Sequence, residues 1–179
     1  MSGTSLEKFV ATVRDDWGPI STDLVTDCRK HLDELTSTDA GEEWLAELLS
    51  ERPATRELHR EPNSFMLLAH TEQEGLYRPP HDHGRAWVVY GVHSGELEIG
   101  TYARVPDANG DRLVKRDMII LRPGEARAYL PGDIHDTRCL TDSALVFRFT
   151  ERDLRHEDQM EQRVTRFVEY DGAWRAPLS

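Results

Sequence analysis

The chain has 179 residues, a formal net charge of -11 at pH 7 and 38% hydrophobic residues. That length supports one domain with a substantial core, and the acidic balance, with a pI near 5.1, speaks against a nucleic-acid footprint or an anionic membrane surface. No apolar run approaches the roughly 18 residues of a membrane span, and the N-terminus MSGTSLEKFVATVRDDW has neither a basic head with an apolar block nor a small-residue cleavage site, so a soluble cytoplasmic protein, monomer or homodimer, with a small diffusing partner is expected.

Residues 1–52 read as helical. Leu6, Phe9, Val10, Val13 and Trp17 fall on one helix face, Thr4 and Glu7 have capping-box spacing, and Gly18-Pro19 ends the segment. A second apolar face runs through Leu24, Val25, Cys28, Leu32 and Leu35. A third, through Trp44, Leu45, Leu48 and Leu49, stops at Pro53. Both tryptophans are expected to anchor helices onto something larger. Cys28 and Cys139 are only two and widely spaced, which predicts reduced thiols rather than a disulfide framework.

From Arg56 the period becomes that of strands, with candidates at 56–60, 64–71, 86–93, 96–104, 112–120, 125–129, 136–139 and 144–150. Asn109-Gly110 is the strongest hairpin signal, and Gly75, Gly95, Pro123-Gly124 and Pro131-Gly132 supply further turns suited to a jelly roll or small barrel. The charged run ERDLRHEDQMEQR reads as a solvated loop or surface helix. VTRFVEYDGAWR reads as a hairpin turning at Asp171-Gly172 and packing outside the barrel.

Within GLYRPPHDHGRAWVVYGVHSG, His81 and His83 stand two residues apart at the start of an apolar run read as a strand, where alternation points both to one face. His135, after the Pro-Gly turn in LPGDIHDT, is the best third ligand. Imidazole suits zinc, copper, iron and nickel alike, so ligand type does not choose the metal. His93 has matching parity but is expected at the far end of the barrel, and Asp82 points to the opposite face. His59 and His70 are expected in core or surface roles, and His156 sits in the solvated run. An isolated H-x-H is more often a surface pair than a ligand pair, but here the glycines add weight.

Gly75 before His81, Gly95 after His83 and Gly132 before His135 resemble the two motifs of the cupin superfamily, G-x5-H-x-H ending in a glycine and a slightly contracted P-x-G-x2-H. The resemblance covers residues 56–150. It implies a mainly β fold, a double-stranded β-helix or jelly-roll barrel, with N-terminal helices packed outside and 151–179 as an extension of a single domain. Many cupins add a glutamate four or five residues after the second histidine; here those positions are Trp87 and Val88, and Glu96 and Glu98 come too late. A three-histidine site with HDH spacing is similar to the thiol dioxygenases acting on cysteine or 3-mercaptopropionate, which implies Fe(2+), a small thiol-bearing acid and O2 as reactants, and a sulfinate product.

The likeness has gaps. The family's Ser-x-His-x-Tyr strand reads ALVFRFT here, and Val88 stands where some cysteine dioxygenases carry a crosslinking cysteine, leaving Cys139 the role of a small buried hydrophobe. The family's substrate-anchoring arginine corresponds to Arg60, with Arg56, Arg78, Arg85 and Arg148 as competitors. Arg148, between two phenylalanines, must be paired or face a ligand. Two other functions stay open: a three-histidine oxygenase for a non-thiol chelating substrate, and a non-catalytic metal- or small-molecule-binding cupin.

Overall fold

The computed structural model describes residues 3–177, so the outermost two residues of each expected end segment lie outside the described residues. Helix α1 (Ser5–Asp16) starts at Thr4, whose side chain accepts from the Glu7 amide at 3.1 Å while the Glu7 carboxylate accepts from the Thr4 amide at 2.8 Å. Helix α2 (Thr22–Thr36) is capped by Ser21, and α3 (Glu43–Glu51) ends at left-handed Arg52, ahead of Pro53. Each cap satisfies amides or carbonyls that the helix cannot bond internally.

Nine strands follow: β1 (Arg56–Arg60), β2 (Met66–Gln73), β3 (Tyr77–His81), β4 (Val88–Ser94), β5 (Leu97–Asp107), β6 (Gly110–Leu121), β7 (Glu125–Tyr129), β8 (Ile134–Cys139) and β9 (Ser143–Thr150). They form two antiparallel sheets, one ordered β1-β2-β9-β4-β7 and the other β3-β8-β5-β6. Face to face, the sheets make a jelly-roll barrel. The β5-β6 hairpin turns as expected, with Asp107 opposite Gly110 and Gly110 at φ 98°.

Alternation along β2, β4 and β9 sorts side chains into two compartments. Odd-numbered Leu67, Ala69, Val89, Leu145, Phe147 and Phe149 face the helices, where they join Phe9, Val13, Leu32 and Leu45 in the larger core. Trp17 lies against Phe65, Trp87 and Phe149, with ring centroids 5.0, 6.1 and 6.1 Å away. Even-numbered Val88, Tyr90, Val92, Ala144 and Val146 face the barrel interior.

Three expectations are corrected. Strand β3 was not foreseen, because Pro79 and Pro80 interrupt its pattern; it survives as the edge of its sheet, where proline costs no central ladder bond. His81 therefore closes β3 and His83 lies in the turn beyond it, rather than both opening β4. The charged run after Thr150 is not fully solvated either. It forms a wide helical turn at His156–Met160 that buries Glu157 completely, and then runs beside β3, with the Asp82 amide donating to the Thr165 carbonyl and the Phe167 amide to that of Pro80.

The terminal hairpin matches expectation. Strands β10 (Val168–Tyr170) and β11 (Ala173–Arg175) turn at Asp171 and Gly172, both at positive φ, as a type I′ turn requires. Phe167 and Trp174 pack with Leu113 and Ile134, and Arg175 forks onto Asp107 at 3.1 and 2.7 Å. Cys28 and Cys139 are free and buried. Among the described residues no helix is long and apolar enough to cross a membrane.

Phe149 is fully buried where helices meet the sheet, so Phe149→Ala is expected to cost about 3–5 kcal/mol of unfolding free energy. Denaturant titration measures it, and a loss below about 1 kcal/mol would contradict this packing.

Candidate metal centre

The antiparallel pairing of β3 with β8 sets His81 directly opposite His135. The turn after β3 brings in His83, and Asp82 holds that turn: its carboxylate accepts from the amides of Gly84 at 3.1 Å and Thr165 at 2.8 Å. Gly84 is required there. It sits at φ +63°, and an added Cβ would lie 2.9 Å from the Arg163 Cβ and 3.1 Å from a Glu157 carboxylate oxygen. Glu157 in turn accepts from Arg152 at 3.1 Å and lies 3.6 Å from Arg85, so the C-terminal segment braces the histidine turn from outside.

The three imidazoles converge. Their ring centroids are 4.8 to 5.0 Å apart, and one donor atom from each lies within 4.8 Å of the others. The Nε2 atoms of His83 and His135 are 3.2 Å apart. With metal–nitrogen bonds of about 2.1 Å, that spacing subtends about 100° at an ion, between the octahedral and tetrahedral angles. His81 Nδ1 donates to the Pro79 carbonyl at 2.8 Å, which leaves Nε2 with the free lone pair, the arrangement that orients a ligating imidazole. Burial presses the pKa of His83 and His135 well below the usual histidine value and lowers that of His81 as well; the neighbouring imidazoles add to the effect at His83 and His135. All three are thereby kept neutral, the form that binds metal. This donor set fits a divalent transition metal.

A cavity of about 550 Å³ opens beside His81 and His83, lined on its far wall by His70, Tyr90, Val146 and Arg148. Arg148 faces inward rather than to solvent. Its Nε is buried without a hydrogen-bond partner, while Arg78 is paired with Glu72 at 2.7 Å and Arg166 with Asp158 at 2.6 and 2.7 Å. Burial, and then the charge of Arg78, lower the Arg148 pKa against the pull of Tyr90 and Glu72, but a guanidinium stays protonated in proteins. A buried cation with an unmet donor is costly unless an anion meets it.

Arg60 is not brought to this site. It sits on the edge strand β1, half exposed, with its guanidinium 2.8 Å from both Glu57 and Asp153, outside the cavity lining. Arg56 and Arg85 are likewise spent on Glu51 and Glu161. His93 points out of the barrel, its Nδ1 3.0 Å from the Thr36 carbonyl; its parity with His81 is lost because the two are not on one strand. Asp82 stays off the site, and His59 and His156 lie beside Glu61 and Glu161. Cys139 packs in the interior apolar cluster with Val88 and Val146.

Two further residues line the cavity, Tyr90, which the sequence reading does not single out, and His70, expected in a core or surface role. Tyr90 shares the inward parity of Val88 and Val92, and its hydroxyl lies 3.1 Å from His83 Nε2 and 3.4 Å from His135 Nε2. His70, the fifth of the eight residues of β2, bonds Thr55 through Nδ1 at 3.0 Å and leaves Nε2 buried without a partner.

No family model matches the chain, and no curated protein matches it. Among solved structures it is similar to the cupin domain of Schizosaccharomyces pombe Cnp3, with 10% identity, 60% of this chain and 69% of that one covered, and a TM-score of 0.45. It is also similar to TT1209 from Thermus thermophilus (18% identity, 57% and 85% covered, TM-score 0.45) and to KdgF from Halomonas sp. (21% identity, 55% and 77% covered, TM-score 0.42).

Replacing His135, fully buried between its two partners, by alanine is expected to remove most bound metal, since an open three-imidazole site has no spare nitrogen donor. Full metal occupancy in His135→Ala, by elemental analysis, would contradict the assignment.

His70 gives a second expectation. Burial, followed by the charge of Arg148, pushes its pKa down to about 3, so below an unfolded value near 6.5 the unfolded chain binds a proton that the folded protein refuses. Stability should fall with pH between those limits by up to about 1.4 kcal/mol per pH unit from this group. His70→Gln is expected to flatten the slope by that amount in denaturant titrations from pH 7 to 4. An unchanged slope would show that His70 titrates normally.

Proposed function

We propose that the protein is an iron(II)-dependent cupin dioxygenase for small anionic substrates that chelate the metal, a thiol-bearing acid first among them. The observation that carries this reading is the placement of Arg148, whose buried Nε has no hydrogen-bond partner, in the cavity that opens onto His81 and His83, two of the three converging imidazoles. His81, His83 and His135 would hold the ion, which when bound supplies positive charge that favours the thiolate over the thiol and a redox centre for O2 chemistry.

The remaining work falls to the chain. Arg148 offers a planar fork to a carboxylate and so fixes both its position and its direction. Leu97, Val146, Leu154 and Phe167 line the same cavity and limit water around the bound acid. The neutral histidines leave the site's charge to be balanced by substrate, which favours an anion over a neutral ligand. The net conversion, RSH + O2 to RSO2H, places both oxygen atoms on sulfur and needs no further reductant.

A second reading, an oxygenase for a chelating acid without a thiol, is favoured by one observation: β9 carries neither the histidine nor the tyrosine of the thiol dioxygenases, and Arg148 occupies that inward face instead. Oxygen uptake by the iron-loaded protein separates the readings. Uptake with thiol-bearing acids supports the first, uptake only with diketone or hydroxy-acid chelators the second, and none with either points to a binding cupin without catalysis. With an active substrate, Arg148→Met is expected to lower kcat/KM by roughly 2–5 kcal/mol at unchanged iron content, and Arg60→Ala to leave it unaltered. Unchanged kinetics in Arg148→Met would remove the anchor and the argument built on it.

A further inference from the structure

We propose that Tyr90 is a fourth ligand of the metal, binding through its phenolic oxygen; the inference rests on the three-histidine reading of the site. The three atoms Tyr90 Oη, His83 Nε2 and His135 Nε2 form a nearly equilateral triangle with edges of 3.1, 3.4 and 3.2 Å. A tetrahedron with such edges has its centre about 2.0 Å from each corner, the length of a metal bond to nitrogen or oxygen. The distance from the Tyr90 oxygen to each imidazole nitrogen is thus within about 0.2 Å of the distance that separates the two nitrogens from each other.

The fold explains why this side chain reaches the site. Tyr90 is on β4, facing inward between Val88 and Val92 and paired in register with Arg148 on β9. Strand β4 belongs to the sheet opposite His81 and His135, so the ligands would come from both walls of the barrel. Trp87 and Val88, which directly follow the histidine turn, offer no donor atom to the interior: Val88 is aliphatic, and Trp87 belongs to the helix-facing core. A longer side chain placed further along the strand supplies the missing oxygen. The tyrosine ring is otherwise enclosed, 7% exposed, with Tyr129 against it at 6.0 Å.

On binding, the phenol O–H bond breaks, its proton leaves to solvent, and the metal–oxygen bond forms, so the net charge of the centre falls by one. Three imidazoles and one phenolate would then supply four donors to the ion from this chain.

Ferric iron makes the proposal visible, since phenolate bound to it gives an intense visible charge-transfer band and imidazole does not. The wild-type protein loaded with iron and oxidised is expected to show that band, with phenolate ring modes in its resonance Raman spectrum. Tyr90→Phe should bind the same amount of iron and lose both signals, while Tyr129→Phe, altering the other nearby ring, should keep them. Wild-type protein that binds iron without phenolate modes, or a Tyr90→Phe protein that retains the band, would overturn the proposal and leave the three-histidine site standing. Wild-type protein that binds no metal would overturn both. The wild-type Raman spectrum decides the question even where the phenylalanine variant fails to fold.

Discussion

Holding three imidazoles close together, neutral and out of water, is the constraint on which the rest of this structure depends. Protonated, they would repel one another at ring separations of 4.8 to 5.0 Å, and buried they cannot recover the lost hydration. Their positions are fixed by backbone pairing rather than by side-chain contacts alone: β3 against β8 sets His81 opposite His135, and the Asp82 carboxylate ties the His83 turn to the chain at Thr165. The segment beyond the barrel is therefore part of the site. Thr165 adds a bond from the C-terminal segment to the Asp82–Gly84 bond that holds the turn, and Glu157 and Arg163 pack against Gly84 from the same side.

The opposite wall is organised by a different compartment. Leu67, Phe147 and Phe149 bind the five-stranded sheet to the helices, and that outer core fixes the strands whose other faces carry His70, Tyr90 and Arg148. One period of two residues thus serves two purposes: odd positions stabilise the fold, and even positions furnish the cavity. The cavity pairs Arg78 with Glu72 and Arg166 with Asp158 but gives Arg148 no carboxylate among the described residues. This asymmetry, rather than the number of arginines, is what the proposal of an anionic ligand rests on.

The histidines were legible in the sequence because the glycine and proline spacing around them reports backbone turns, and turns are local. The barrel was legible because alternation along the central strands is strong, and so were the capping box at Thr4 and the I′ turn at Asp171-Gly172. Strand β3 was hidden by Pro79 and Pro80, whose tolerance depends on lying at a sheet edge, a fact of topology that no local pattern carries. Glu157 looked solvated within a charged run because Arg85, which meets it from the histidine turn, is far away in sequence. Arg60 was favoured as the substrate anchor by its place ahead of the metal motif, but Glu57 and Asp153 occupy its guanidinium. Arg148 is turned inward by strand parity and by its pairing opposite Tyr90, which is why the proposal assigns the anchor to it.

The central claim is that His81, His83 and His135 bind one metal ion together inside the barrel. X-ray absorption at the metal edge of the protein loaded with one equivalent of iron tests it most directly, because imidazoles announce themselves through multiple scattering from the ring. The account predicts a nitrogen and oxygen shell near 2.1 Å whose scattering requires three imidazoles, reduced to two in each single histidine variant that still retains metal. A shell built from oxygen alone, or an imidazole count unaffected by these substitutions, would contradict it.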